Sequence, residues 1–139
     1  ALGPVGESDP AQWERMLAIN LTTAYASTRA FLPALRTGRG SIVYFASAAV
    51  APGGSLEGIA AYGAAKAGVV ALMHAVAIEE RSRGVRANAL APSAIRTDAN
   101  VAAMGATASF VERETVADWV TFLCSPVAGP VTGQLVQLG

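Results

Sequence analysis

Two short apolar runs with a long helical stretch between them set the fold class. "SIVYFA" (41–46) follows Gly38 and Gly40 and is apolar on both faces, as a buried interior strand is. "VRANALA" (85–91) is a second strand. Between them the glycine-rich "APGGSLEG" leads into a helix expected from about Ala60 to Arg83, ended by Gly84. Strands alternating with helices imply a parallel sheet and an α/β domain. A further helix, "ERETVADWVTFLCS", and a last short strand, "GQLVQL" (133–138), continue the alternation. An earlier helix opens at "SDPAQW", with Asp9 as cap, Pro10 at the first helical position and Gln12 three after the cap. Trp13, Met16, Leu17, Leu21 and Tyr25 then recur at helical spacing, and Pro33 is expected to kink or end the helix. Residues 92–110 are expected to be irregular.

The 139 residues suffice for one domain with a core. The chain is 53% hydrophobic and 14% charged with zero net charge and no basic run, so neither nucleic acid nor a membrane is an expected partner. No apolar stretch is expected to reach membrane-spanning length. Cys124 is the sole cysteine, which rules out an internal disulfide and fits a reducing, cytoplasmic setting. The N-terminus carries no signal-peptide pattern and opens without methionine in the loop-like "ALGPVG", as a cut or processed end would. Cys124 reads as a small buried hydrophobe, and Trp13 and Trp119 read as core, with a partner contact the alternative for Trp13. Glu79, Glu80, Arg81 and Arg83 read as a solvated helix end. His74 is the only histidine, so it makes no metal site and is expected to pack or to meet another subunit.

The chemistry concentrates in "YGAAK". Tyr62 and Lys66 lie one helical turn apart on the same face, and Lys66 is the only lysine in the chain. A free phenol titrates near pH 10 and is a poor base at neutrality, but an ammonium within about 4–6 Å favours the phenolate. Such a pair is suited to general acid/base work near neutral pH. By itself the five-residue pattern is commonly a helix-start aromatic beside a solvated lysine. Its surroundings favour chemistry. Ser47 stands at the end of "SIVYFA", where open α/β sheets bind ligands, and a hydroxyl there can donate to a developing oxyanion. The loop that begins at Pro92 emerges from the second strand at the same edge.

These segments together resemble the short-chain dehydrogenase/reductase family. "FASAAV" followed by "YGAAK" is similar to the family's serine and YxxxK arrangement. "RANALAPSAIRT" resembles its N-x-x-x-P-G-x-I-x-T segment. "LAINLTTAY" resembles the helix carrying the active-site asparagine, and "FLCSPVAGPVTGQLVQLG" resembles the family C-terminus. The resemblance implies a Rossmann-like doubly wound parallel sheet, present here as the C-terminal, catalytic half. It implies an oxidoreductase using NAD or NADP to interconvert a small-molecule alcohol and carbonyl. Tyr62 would exchange the proton with the substrate oxygen, and Ser47 would hold that oxygen. Lys66 would lower the Tyr62 pKa and bond the nicotinamide ribose, and Asn20 would support a water-borne proton relay to Lys66. Pro92, Ile95 and Thr97 would line the nicotinamide, with the Ile95 backbone and Thr97 meeting its carboxamide. The small face of Gly63, Ala64, Ala67 and Gly68 would join long helices in a homo-oligomer.

The sequence also departs from the pattern. Ser93 stands where the family usually has glycine, and "VQLG" replaces an ending with aspartate and two glycines. The stretch after Thr97, the family's substrate lid, is short. The glycine-rich T-G-x-x-x-G-x-G turn that receives the pyrophosphate does not occur in these residues. The chain therefore reads as residues 1–139 of a partial Rossmann-like domain without its cofactor-phosphate half. The rival reading is a truncated or degenerate half-domain, non-catalytic and serving in assembly.

Overall fold

The computed structural model describes residues 3–139. Its elements are α1 (Pro10–Leu17), a π-helical turn (Ala18–Thr22), α2 (Thr23–Gly38), β1 (Ser41–Phe45), α3 (Ala60–Glu79), β2 (Arg86–Pro92), α4 (Asp98–Met104), α5 (Arg113–Cys124) and β3 (Leu135–Leu138). The strands form one parallel sheet in the order β1-β2-β3. Ser41 to Phe45 face Arg86 to Leu90, and Ala89 to Pro92 face Leu135 to Leu138.

β2 explains why the sheet is covered on both faces. Ala87, Ala89 and Ala91 point to one side and pack with Tyr44, Val69, Met73 and Val76 under α3. Leu90 points to the other and packs with Val111, Val116, Leu123 and Leu138 under α5. The alanines let α3 approach closely. Asn88 is wholly buried, but its amide donates to the Val131 carbonyl (3.0 Å) and accepts from the Gln134 amide (3.0 Å), which ties β2 to the entry of β3. The expected α/β class and parallel sheet hold. Among the described residues β1 pairs only with β2, so its other edge is open.

Several expectations are corrected. Of the two outcomes expected at Pro33, a helix end is ruled out, since α2 runs on to Gly38. Pro33 and Arg29, whose carbonyl loses its helical donor, are both exposed, so water can satisfy that carbonyl. Residues 98–104 form a helix, not irregular chain, because Thr97 caps it by accepting from the Asn100 amide (3.2 Å). Glu80 is not solvated: its side chain is 3% exposed, with Arg36 donating to both its oxygens (2.7 and 2.6 Å) and Arg83 to one (3.2 Å). The Arg36 hydrogen bonds hold its carboxyl below the usual glutamate range. Cys124 is exposed, and Trp13 is exposed at a hollow that it lines with Ala60 and Ala61 of α3, whereas Trp119 is half-buried against the α5 core. His74 is exposed and packs into no core cluster.

The helix α3 also corrects the expectation about apolar length. Its 20 residues have a mean hydropathy of 1.5 in their most apolar window, enough by length and composition to cross a membrane. One side of it, with Ala65, Val69, Met73 and Val76, is buried in the core described above. The small face is divided. A side chain on Gly63 would meet Leu56 at 2.5 Å and one on Gly68 would meet Leu21 at 2.7 Å, so these glycines serve packing within the chain. Ala64 and Ala67 are exposed.

Candidate active site

A cleft of about 660 Å³ opens at the carboxyl ends of β1 and β2. Ser47, Tyr62, Lys66, Pro92 and Ile95 all line it. Ser47 lies two residues beyond β1 in extended conformation, and its hydroxyl oxygen accepts from the Ala49 amide (3.2 Å). That contact anchors the turn and leaves the hydroxyl proton for an acceptor in the cleft. A side chain on Gly54 would collide with the Ala48 and Ala49 carbonyls, so glycine lets the following loop fold down onto this turn. The loop then delivers Tyr62 and Lys66 in the first turns of α3.

Lys66 is half-buried. Its Nζ donates to the Phe45 carbonyl (2.9 Å) and lies 5.7 Å from the centre of the Tyr62 ring. Burial lowers its pKa, because the ammonium loses water. Pro92 ends β2 and is buried. Ile95 sits in a turn clamped by a parallel bridge to Val111.

Two of the expected site residues stand apart from this cleft. Asn20 lines a second hollow of about 280 Å³ with Thr23, Tyr44, Phe45 and Lys66. Lys66 is thus common to both spaces. The Asn20 amide donates to the Met16 carbonyl (3.1 Å), and the backbone there slips to a π turn, with the Thr23 amide donating to the Ala18 carbonyl. Thr97 does not line the cleft. Its oxygen caps α4, while its hydroxyl proton remains available.

Asn100 and Gln137 line the cleft and were not singled out from sequence. Asn100 stands three residues after the Thr97 cap, but its stretch is alanine-rich and gave no periodic signal.

The chain is similar to known proteins along nearly its whole length. A family model described as enoyl-(acyl carrier protein) reductase matches residues 1–138. The chain is 32% identical to 2-keto-3-deoxy-L-fuconate dehydrogenase of Xanthomonas campestris, over 95% of this chain and 50% of that protein. It is 33% identical to 2-(S)-hydroxypropyl-CoM dehydrogenase 3 of Xanthobacter autotrophicus, over 94% of this chain and 57% of that protein. The solved structure of a short-chain type dehydrogenase/reductase from Mycobacterium ulcerans matches with a TM-score of 0.88 and 31% identity, over 98% of this chain and 54% of that one. The chain spans about half the length of the curated relatives it matches. A match along nearly the whole chain, in fold and in sequence, assigns it to one family of oxidoreductases: the chain belongs to the short-chain dehydrogenase/reductase family.

Proposed function

We propose that these residues form the catalytic half of an NAD(P)-dependent oxidoreductase that interconverts an alcohol and a carbonyl, with Tyr62 as the acid/base. The observation that carries this reading is the meeting of Ser47, Tyr62, Lys66 and Ile95, from three separate segments, in one cleft at the carboxyl edge of the sheet. The residues present suit the nicotinamide end of such a cofactor. The Ala94 carbonyl accepts from the Val111 amide (2.8 Å), so the Ile95 N–H, on the far side of that trans peptide, points away from Val111. It has no partner among the described residues and is free to donate to a carboxamide.

In this reading a substrate oxygen sits between Ser47 and Tyr62. Ser47 donates its free proton to that oxygen as charge develops. Tyr62 gives the proton in reduction and takes it in oxidation. Lys66, within reach of the ring, favours the phenolate. Bound nicotinamide supplies or accepts the hydride. Asn20, across Lys66, supports proton passage through water, and Thr97, outside the cleft lining, would meet the carboxamide only by turning its uncommitted hydroxyl proton toward the cleft. The exposed Ala64 and Ala67 on α3 join subunits in a homo-oligomer.

A second reading, a non-catalytic half-domain with an assembly role, is favoured by the edge of β1 that is open among the described residues. The deciding experiment is Tyr62→Phe in the complete protein. The change removes one oxygen and little packing, so the fold should survive while turnover drops by about 10²–10⁴. A near-normal rate with Tyr62→Phe sinks the assignment, and a folded, inert wild type favours the assembly reading.

A further inference from the structure

We infer that Asn100 is a positioning residue: it holds the Ile95 carbonyl and so fixes the neighbouring Ile95 N–H as a donor to the nicotinamide end of the cofactor. The inference rests on the cofactor reading above.

The argument starts from the backbone around Ile95. The bridge to Val111 uses the groups on either side of Ile95. The Val111 amide donates to the Ala94 carbonyl (2.8 Å), and the Arg96 amide donates to the Val111 carbonyl (2.8 Å). The two backbone groups of Ile95 itself therefore face the opposite way. One of them, the carbonyl, accepts from the Thr97 amide (2.8 Å) and from the Asn100 side-chain amide (2.8 Å). The other, the N–H, is free. Asn100 is the only side chain among the described residues that bonds either group.

Asn100 is itself locked at both ends. Its backbone amide is bound by the Thr97 hydroxyl oxygen (3.2 Å), in the first turn of α4. Its side chain lines the cleft, half-buried, with Tyr62 and Lys66. On the far side of the turn, Arg96 pairs with Glu112 (2.7 Å) and stacks over Phe110 (4.7 Å to the ring centre). The Val111 side of the turn is thus clamped by residues 110–112, and the cleft side is clamped by Asn100. Removing the Asn100 amide leaves the Ile95 carbonyl with one donor and lets the 95–96 peptide, which carries that carbonyl, tilt. The Ile95 N–H belongs to the adjoining 94–95 peptide, joined to it through the Ile95 Cα, so its aim shifts as the Ile95 torsions relax. The adenine and pyrophosphate of a dinucleotide do not include the carboxamide that this N–H would bind, so their binding should not sense the change.

The test compares two ligands on the complete protein. NADH and NADPH carry the nicotinamide, and ADP-ribose lacks it. By calorimetric titration, Asn100→Ala should weaken binding of the preferred dinucleotide about tenfold, the effect of one partly buried hydrogen bond. ADP-ribose binding should stay within about twofold, which also verifies the fold. Asn100→Asp, of the same shape but without the donor to Ile95, should behave the same way at neutral pH. Equal weakening of both ligands, or no change in either, overturns the inference. A wild type that binds dinucleotide no better than ADP-ribose also overturns it, since nothing then holds the nicotinamide. A wild type that binds neither ligand refutes the cofactor reading itself, and this inference with it.

Discussion

Lys66 donates its ammonium to the Phe45 carbonyl at 2.9 Å, on the edge of β1 that faces away from β2. The direction follows from the ladder. The Ala46 amide donates to the Leu90 carbonyl, so the intervening Phe45 carbonyl points to the opposite edge. The same ammonium lies beside the Tyr62 ring and is partly desolvated, which places a charge where burial disfavours it.

That placement carries a stability signature. Burial lowers the folded-state pKa of Lys66 below its value in the unfolded chain. Between the two pKa values the unfolded state binds more protons, so stability rises with pH through that window, which ends near the ordinary lysine pKa. Lys66→Met should abolish this alkaline rise and raise stability at neutral pH while activity is lost. Denaturant melts of both proteins from pH 7 to pH 10.5 check it. Parallel pH dependences would mean that Lys66 is solvated in both states.

Ser47 separates chemistry from binding. Its oxygen is used on the Ala49 amide, but its proton is not committed within the described residues. Ser47→Ala should therefore slow the hydride-transfer step about 10²-fold, as loss of one oxyanion donor does. Cofactor affinity should barely move. Single-turnover rates alongside cofactor titration distinguish the two, and a collapse of cofactor binding with intact chemistry would reassign the residue.

The Arg36–Glu80 pair should respond asymmetrically. Glu80 is buried, whereas the Arg36 side chain is 41% exposed. Arg36→Ala leaves a buried carboxylate with only the longer Arg83 contact, while Glu80→Gln leaves an arginine that water can solvate. Arg36→Ala should thus lower the melting temperature more than Glu80→Gln does. Because the folded-state pKa of Glu80 is depressed, its stabilising contribution is present above the ordinary glutamate pKa and fades as pH falls through the lowered value. Glu80→Gln should flatten that acid limb in melts between pH 6 and pH 3.

Expressed by itself, the 139-residue chain should self-associate and show no saturable NAD(H) or NADP(H) binding at micromolar cofactor. A groove of about 420 Å³ runs beside β1, lined by Phe31, Leu35, Ile42 and Phe45 among others. Phe31 is 65% exposed, and the strand edge next to it is unpaired among the described residues. An open apolar edge invites pairing with other chains. Phe31→Glu should shift the species seen by light scattering toward monomer. A monodisperse wild-type chain that binds either cofactor tightly would overturn the expectation.

The main alternation was legible because its signals are local. β1 carries an unbroken apolar run, α3 has a glycine stop, and β2 starts just after that glycine and ends at Pro92; the structure puts them within a few residues of the expected bounds. α4 was hidden because "DANVAAM" has no amphipathic stripe, and its start depends on the Thr97 cap. Glu80 was misread because its partner Arg36 lies 44 residues away, on another helix. Ser47, Tyr62 and Lys66 were legible through motif and strand-end position. Asn100 was not, because its contact with Ile95 exists only once the turn is folded.

The π turn at Ala18–Thr22 alters how its whole helix must be counted. One extra residue in a turn advances every later side chain by about 100° about the axis. Positions 10–17 and 23–38 therefore belong to two different phases. α1 uses the first phase to meet α3. α2 uses the second to bring the Thr28 hydroxyl within 2.7 Å of the buried Tyr44 hydroxyl on β1. Removing a single residue from 18–22 would merge the two phases and swing Thr28 away from Tyr44, even if every remaining side chain were kept. Along this helix the loss of one residue would rotate every later position, whereas a substitution alters only its own, so the spacing between Trp13 and Thr28 is itself part of the packing.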